Sequence, residues 1–116
     1  MLTRRTILGA TVCAAVAPAR AHHGWGSYDA ANPVTVRGPI KMLKFENPHC
    51  HVEVESGGKK WECTLAPPFR MTNRGATEAI LKVGTPVVVF GYPSRSAPTE
   101  MRAEWIEVAG KRFELR

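Results

Sequence analysis

The chain has 116 residues, with 44% hydrophobic and 22% charged side chains and a formal net charge of +6 at pH 7. This length suits one compact domain, and the composition is ordinary for a globular protein rather than for a disordered one. No apolar run reaches the roughly 18 residues that a membrane-spanning helix requires, which disfavours a resident membrane protein.

Residues 1–21 have the features of an export signal. Arg4 and Arg5 precede a mildly apolar run without acids, and the segment ends on Ala-Arg-Ala, the small-x-small pattern of a signal-peptidase site. The residues around the two arginines are typical of a twin-arginine signal, and an ordinary secretory signal is the alternative. We therefore expect cleavage after Ala21 and a periplasmic location.

Cleavage also changes the charge. It would remove three arginines and no acid, leaving 95 residues with 13 basic and 10 acidic side chains. The remaining basic residues are scattered singly or in pairs, whereas nucleic-acid binding needs a clustered basic patch. The sequence therefore predicts no nucleic-acid partner, and no membrane insertion once the signal is removed.

The mature chain divides into an aperiodic N-terminal arm, residues 22–33, and a β-rich domain, residues 34–116. In the domain, alternating apolar residues predict strands and Gly or Pro marks their ends, while Pro67 and Pro68 can open a short helix that stops at Gly75. The predicted elements are strands at 34–45, 49–55 and 59–65, helical pieces at 67–74 and 77–82, and strands at 85–92, 101–108 and 111–115.

This order of elements is typical of the OB-fold, a small Greek-key barrel with a helical connection between its third and fourth strands. A β-sandwich is the second interpretation, although a sandwich has less use for that helix. The first strand changes phase near Ile40, which predicts a bulge or a coil.

Alternation along the second strand separates two kinds of side chain. Cys50, Val52 and Val54 fall on one face, predicted to be the core, and His49 and His51 fall on the other. If Gly57 and Gly58 form the hairpin turn, Cys63 lies on the same core face as Cys50, and the two cysteines are offset by at most two positions across the paired strands. A disulfide and a pair of buried thiols are both compatible with this spacing.

The four histidines form two pairs, His22 with His23 and His49 with His51. Histidines two residues apart on a strand lie about 6.5 Å apart on one face, close enough for both rings to reach one metal ion. After cleavage, His22 would offer its α-amine and its ring nitrogen together. Planar nitrogen ligand sets select copper(II). In its terminal histidine alone, the chain resembles the histidine-brace copper proteins.

We therefore interpret the protein as a periplasmic copper carrier or sequestering protein, with His22, His49 and His51 as ligands and His23 in reserve. A metal-free adaptor that binds a protein or peptide partner through Trp25 and Tyr28 is the alternative, and a copper oxidase is least favoured. No nucleophile with a neighbouring base is found, so no catalytic residue is predicted. Four charged residues are interpreted as a charged edge rather than as a site, although Glu100 or Met101 could cap a metal; the four are Arg95, Glu100, Arg102 and Glu104.

Four segments resemble a bacterial family of small exported proteins of unknown function. They read AHHGWGSYD at residues 21–29, ENPHCH at 46–51, LAPPFRM at 65–71 and GYPSRSAPTEMRAE at 91–104. The resemblance covers nearly all of the mature chain and implies a fold and an exported location. It supplies no activity.

Overall fold

The computed structural model describes residues 25–116. The predicted signal, its cleavage site, His22 and His23 lie outside this part of the chain. The described elements, in chain order, are a 3-10 turn at Trp25–Ser27, β1 (Val34–Lys44), β2 (His51–Ser56), β3 (Lys59–Thr64), α1 (Pro68–Arg74), a second 3-10 turn at Glu78–Leu81, β4 (Pro86–Pro93), β5 (Glu100–Val108) and β6 (Lys111–Glu114).

Five strands close into a barrel. The strands pair antiparallel in the order β3-β2-β1-β4-β5, and a parallel pairing between β3 and β5 completes the ring. β6 extends the sheet beyond β5. A closed five-stranded barrel with a helix between its third and fourth strands confirms the OB-like prediction over the sandwich.

The core is formed by the predicted face of the hairpin. Ser56 pairs with Lys59 across the Gly57-Gly58 turn, and Val52 pairs with Cys63. Cys50, Val52, Val54 and Cys63 are all fully buried. The alternation argument is therefore confirmed for this face, and the opposite face of β2 is left to form the site.

The strong coiling of β1 depends on close contact between strands. Its register against β2 shifts between Ile40 and Met42, which confirms the predicted bulge. At Gly38, a Cβ atom would collide with the backbone carbonyl oxygen of Glu55. A glycine is required here because β1 passes directly against the end of β2.

The helix α1 begins and ends as its sequence predicts. Pro68 occupies its first turn, and Gly75 ends it in the left-handed region, with φ of 96°. Arg74 donates hydrogen bonds to the carbonyl oxygens of Glu114 and Arg116, at 3.1 and 3.0 Å. These bonds hold the C-terminal segment against the helix.

Both cysteines of the barrel are buried free thiols. The backbone of Cys50 bonds to Leu65 and Ala66, whereas Val52 lies opposite Cys63, so the two cysteines are offset by two positions. Burial raises the pKa of Cys50 to about 11 and that of Cys63 to about 12. Both thiols are therefore protonated and unreactive at neutral pH.

None of the helices between residues 25 and 116 combines the length and the apolar character needed to cross a membrane.

Candidate functional site

A small pocket of about 180 Å³ opens where the connection between β1 and β2 approaches the start of β5. Its volume is below the range of about 300–1,000 Å³ that is usual for drug-sized ligands, so an occupant has few atoms. The lining comes from the arm, the β1–β2 connection and three strands: Tyr28, Pro48, His49, His51, Thr64, Glu100 and Arg102.

The strand register brings three of these side chains into one row. His51 pairs with Thr64 across the β2–β3 hairpin, and Thr64 pairs with Arg102 across the parallel β3–β5 contact. Since paired residues share a face of the sheet, all three side chains point to the same side. Glu100 lies two residues before Arg102 and joins this side.

The two histidines each have a polar neighbour. The Thr64 hydroxyl lies 3.4 Å from Nδ1 of His51. Nη2 of Arg102 lies 3.4 Å from Nε2 of His49. Because a guanidinium has no acceptor, Arg102 is the donor and His49 Nε2 presents its lone pair to it.

Burial sets the charge states around the pocket. It lowers the pKa of the His51 imidazole, and the nearby Lys44 adds to this effect, while Glu62, Glu100 and Glu46 oppose it. A buried imidazole of lowered pKa is neutral at pH 7 and keeps a lone pair available.

Tyr28 forms part of the same buried wall. It is 8% exposed and makes an antiparallel bridge with Ser94, which joins the arm to the connection between β4 and β5. Burial raises the pKa of its phenol, and the charge of Glu100 raises it further, against the opposing effects of Thr64 and Arg102. The hydroxyl therefore stays protonated and available as a hydrogen-bond donor.

Trp25 holds the arm against this end of the barrel. The guanidinium of Arg102 lies 4.3 Å from the centre of its ring, and that of Arg116 lies 4.4 Å away. Tyr92 meets the ring edge-on at 6.0 Å. We call Trp25, Arg102 and Arg116 the Trp25 clamp. Because Arg102 also contacts His49, the clamp connects the arm directly to the pocket.

Within residues 25–116, no three His, Cys, Asp or Glu side chains are close enough together to hold a metal ion by themselves. His49 and His51 share the pocket, as the sequence predicts, but a complete ligand set needs a further donor. The other two predicted ligands, His22 and His23, lie outside the described residues.

Several pocket residues were not identified from the sequence. Thr64 belongs to the polar face of its hairpin, yet it is 7% exposed because the pocket encloses it. Glu100 and Arg102 line the pocket rather than only its edge. The prediction that Met101 could cap a metal is wrong, because Met101 is fully buried on the core face of β5. The hairpin register, which pairs His51 with Thr64, was the signal that could have revealed this threonine.

Comparison with known families identifies the group to which the sequence belongs. Residues 10–102, more than half of the chain, match the family of unknown function DUF6152. The chain belongs to this family. No curated protein matches the sequence.

Solved structures support the fold. The chain is similar to the crystal structure of TiaS in complex with a tRNA and ATP, with a TM-score of 0.51 and 18% identity over 77% of this chain and 20% of that one. It is also similar to a ZRD-deleted mutant of TiaS in complex with agmatine, with a TM-score of 0.51 and 19% identity over 76% of this chain and 25% of that one. This chain thus spans a quarter or less of either structure, and the likeness concerns the fold alone.

Proposed function

We propose that this member of DUF6152 is an exported, periplasmic copper-binding protein with a carrier or sequestering role. In this proposal His22 contributes its α-amine and ring nitrogen, and His49 and His51 contribute ring nitrogens. His23 is the reserve ligand. The observation that carries the proposal is that the arm, held by Trp25 and Tyr28, packs at the pocket that His49 and His51 line.

The length of the arm is compatible with this ligand set. His22 precedes Trp25 by three residues. An extended chain covers at most about 3.3–3.6 Å per residue, so three residues reach roughly 10 Å from the Trp25 backbone. Since Arg102 contacts both Trp25 and His49, a histidine within that distance is able to approach the pocket.

The donor chemistry of the pocket also fits copper. Metal ligation needs unprotonated imidazole nitrogens, and His49 Nε2 already accepts a hydrogen bond. Sets of nitrogen ligands favour Cu(II) over the other common divalent metals. Sites for Mg²⁺ and Ca²⁺ differ from this one because their ligands are mainly oxygen atoms. Bound copper would be held for transfer or storage, and the surrounding residues would orient the imidazoles.

The adaptor alternative has less support. It relies on Trp25 and Tyr28 as anchors for a partner, but Tyr28 is buried and the guanidinium groups of two arginines lie against the Trp25 ring. Side chains already packed in this way offer little new area to a partner.

Copper titration of protein that begins at His22 tests the proposal, with calorimetry for affinity and electron paramagnetic resonance for the ligands. We expect a single Cu(II) site that weakens at least tenfold when one extra residue precedes His22, and again when His49 and His51 are both replaced by Ala, because each lost ligand costs more than about 1.4 kcal/mol.

A matched control is available on the same strand. Glu53 lies two residues beyond His51 on the same face of β2, pairs with Lys60 at 3.9 Å and does not line the pocket. Glu53→Gln should therefore bind copper as the unmodified protein does. Binding that is unaffected by both the extended terminus and the double histidine variant would refute the proposal.

A further inference from the structure

The positively charged side chain of Arg102 lines the same pocket in which the proposed function requires Cu(II) to bind. The Arg102 guanidinium is partly buried in the pocket wall and donates to His49 Nε2. Arginine stays protonated in proteins, so its charge repels a metal ion, and its hydrogen bond occupies a nitrogen lone pair that the metal could use. Besides its contact with Trp25, Arg102 thus presents its positive charge to the pocket.

We propose that Arg102 binds a small carboxylate in this pocket, and that the carboxylate and copper bind cooperatively. This inference rests on the proposed copper site. A planar guanidinium matches the two oxygens of a carboxylate, with which it forms paired charge-assisted hydrogen bonds. The hydroxyl of Tyr28 lines the same pocket and supplies a further donor.

The pocket volume restricts the carboxylate to a small one. A space of about 180 Å³ has room for an anion the size of acetate beside the imidazoles. Larger ligands need the larger cavities in which drug-sized molecules bind. Acetate is therefore a suitable probe of this chemistry.

Glu100 explains why the two ligands should bind together. Its carboxylate lines the pocket two residues from Arg102 on β5. A carboxylate that enters alone meets the negative charge of Glu100, and a metal that enters alone meets the positive charge of Arg102. When both enter, each neutralises the charge that opposed the other, and Arg102 exchanges His49 for the carboxylate.

Thermodynamic linkage makes the coupling reciprocal. Acetate should raise the affinity for Cu(II), and Cu(II) should raise the affinity for acetate by the same factor. Couplings between sites in proteins are commonly about 5- to 150-fold, and we expect at least about fivefold here.

The test is Cu(II) calorimetry on the protein with a native His22 terminus, in sodium acetate and in an equal concentration of sodium chloride. The expected result is an affinity at least about fivefold higher in acetate. In Arg102→Gln the difference between the two salts should disappear, because the group that binds the carboxylate is lost.

Arg116→Gln is the matched control. Arg116 also lies over the Trp25 ring and does not line the pocket, so this variant loses one contact of the Trp25 clamp, as Arg102→Gln does, but should keep the acetate effect. Thermal melts of both variants check that the barrel is folded. Equal affinities in the two salts for the unmodified protein, or an acetate effect that persists in Arg102→Gln, would overturn the inference while leaving the copper site in place. Absence of copper binding in both salts would instead overturn the proposed function, and the inference with it.

Discussion

The Trp25 clamp provides a quantitative prediction, because it is one of the contacts that hold the arm at the pocket. Trp25→Ala removes two cation–π contacts, at 4.3 and 4.4 Å, and one edge-to-face contact with Tyr92. Each cation–π contact at an exposed site contributes about 0.5–1 kcal/mol, and an aromatic pair contributes about 0.5–1.5 kcal/mol. The arm therefore loses about 2 kcal/mol of docking free energy.

This loss should appear in copper binding. If the arm must be docked for His22 to complete the site, a cost of about 2 kcal/mol weakens the affinity for Cu(II) about 30-fold. The barrel core contains none of the lost contacts, so the thermal unfolding midpoint should change little. The assay is calorimetry on protein with the native His22 terminus, accompanied by a thermal melt.

Trp105→Ala is the matched control for this substitution. Trp105 is also a partly buried tryptophan, stacked on Phe90 at 5.3 Å and covered by Arg112 at 3.9 Å, and it does not line the pocket. This variant should bind copper with unchanged affinity. If Trp25→Ala binds copper as tightly as the control does, arm docking does not contribute to the site and the reasoning is refuted.

Two further predictions concern the barrel. Burial raises the pKa of Cys63 from 9.0 to about 12, so the stabilising contribution of its neutral thiol is fully present below pH 9 and is lost at about 1.4 kcal/mol per pH unit above it. In denaturant melts from pH 8 to 10.5, the free energy of unfolding should therefore decline more steeply for the unmodified protein than for Cys63→Ala. Equal slopes would contradict this prediction. Gly38→Ala should destabilise the barrel by about 1–3 kcal/mol or prevent folding, because the added Cβ collides with Glu55. Gly26→Ala is the control, since nothing lies within 4 Å of a Cβ there, and it should leave the melting temperature nearly unchanged. Similar melting temperatures for the two variants would contradict the close contact between Gly38 and Glu55.

The fold was largely predictable from local signals. The Gly57-Gly58 turn set the register of the hairpin, alternation separated the core face of β2, and Pro68 with Gly75 defined the helix. These features depend on residues close together in sequence. Strand ends were less well predicted: β2 begins at His51 rather than at His49, while Cys50 keeps backbone hydrogen bonds to Leu65 and Ala66 beyond the end of β3.

The site was only half predictable, because it depends on a long-range pairing. His49 and His51 were evident as a pair on one face of a strand. The parallel contact between β3 and β5 aligns Thr64 with Arg102, and nothing in the local sequence of either strand indicates that pairing. The contact of Trp25 with Arg116 likewise depends on how the C-terminal segment lies against α1. Tertiary structure thus turned a predicted charged edge into part of the pocket.

Residues from three of the four segments quoted in the sequence analysis contact one another at this end of the barrel. Trp25 comes from the first segment, His49 from the second and Arg102 from the fourth. Arg70 of the third donates at 3.4 Å to the carbonyl oxygen of Leu115, next to the residue that completes the Trp25 clamp. One site and its supporting contacts therefore involve residues from all four segments.

Paramagnetic broadening by Cu(II) tests the central claim most directly. In a ¹⁵N-labelled protein with the native His22 terminus, the signals of backbone amides near the bound ion lose intensity, and the loss falls steeply with distance from the ion. At substoichiometric Cu(II), the account predicts early loss of signals from the pocket lining, at residues 28, 49, 51, 64 and 102, together with those of the arm. Broadening confined to the first residues of the arm, with the signals of His49, His51 and Thr64 remaining sharp, would contradict it.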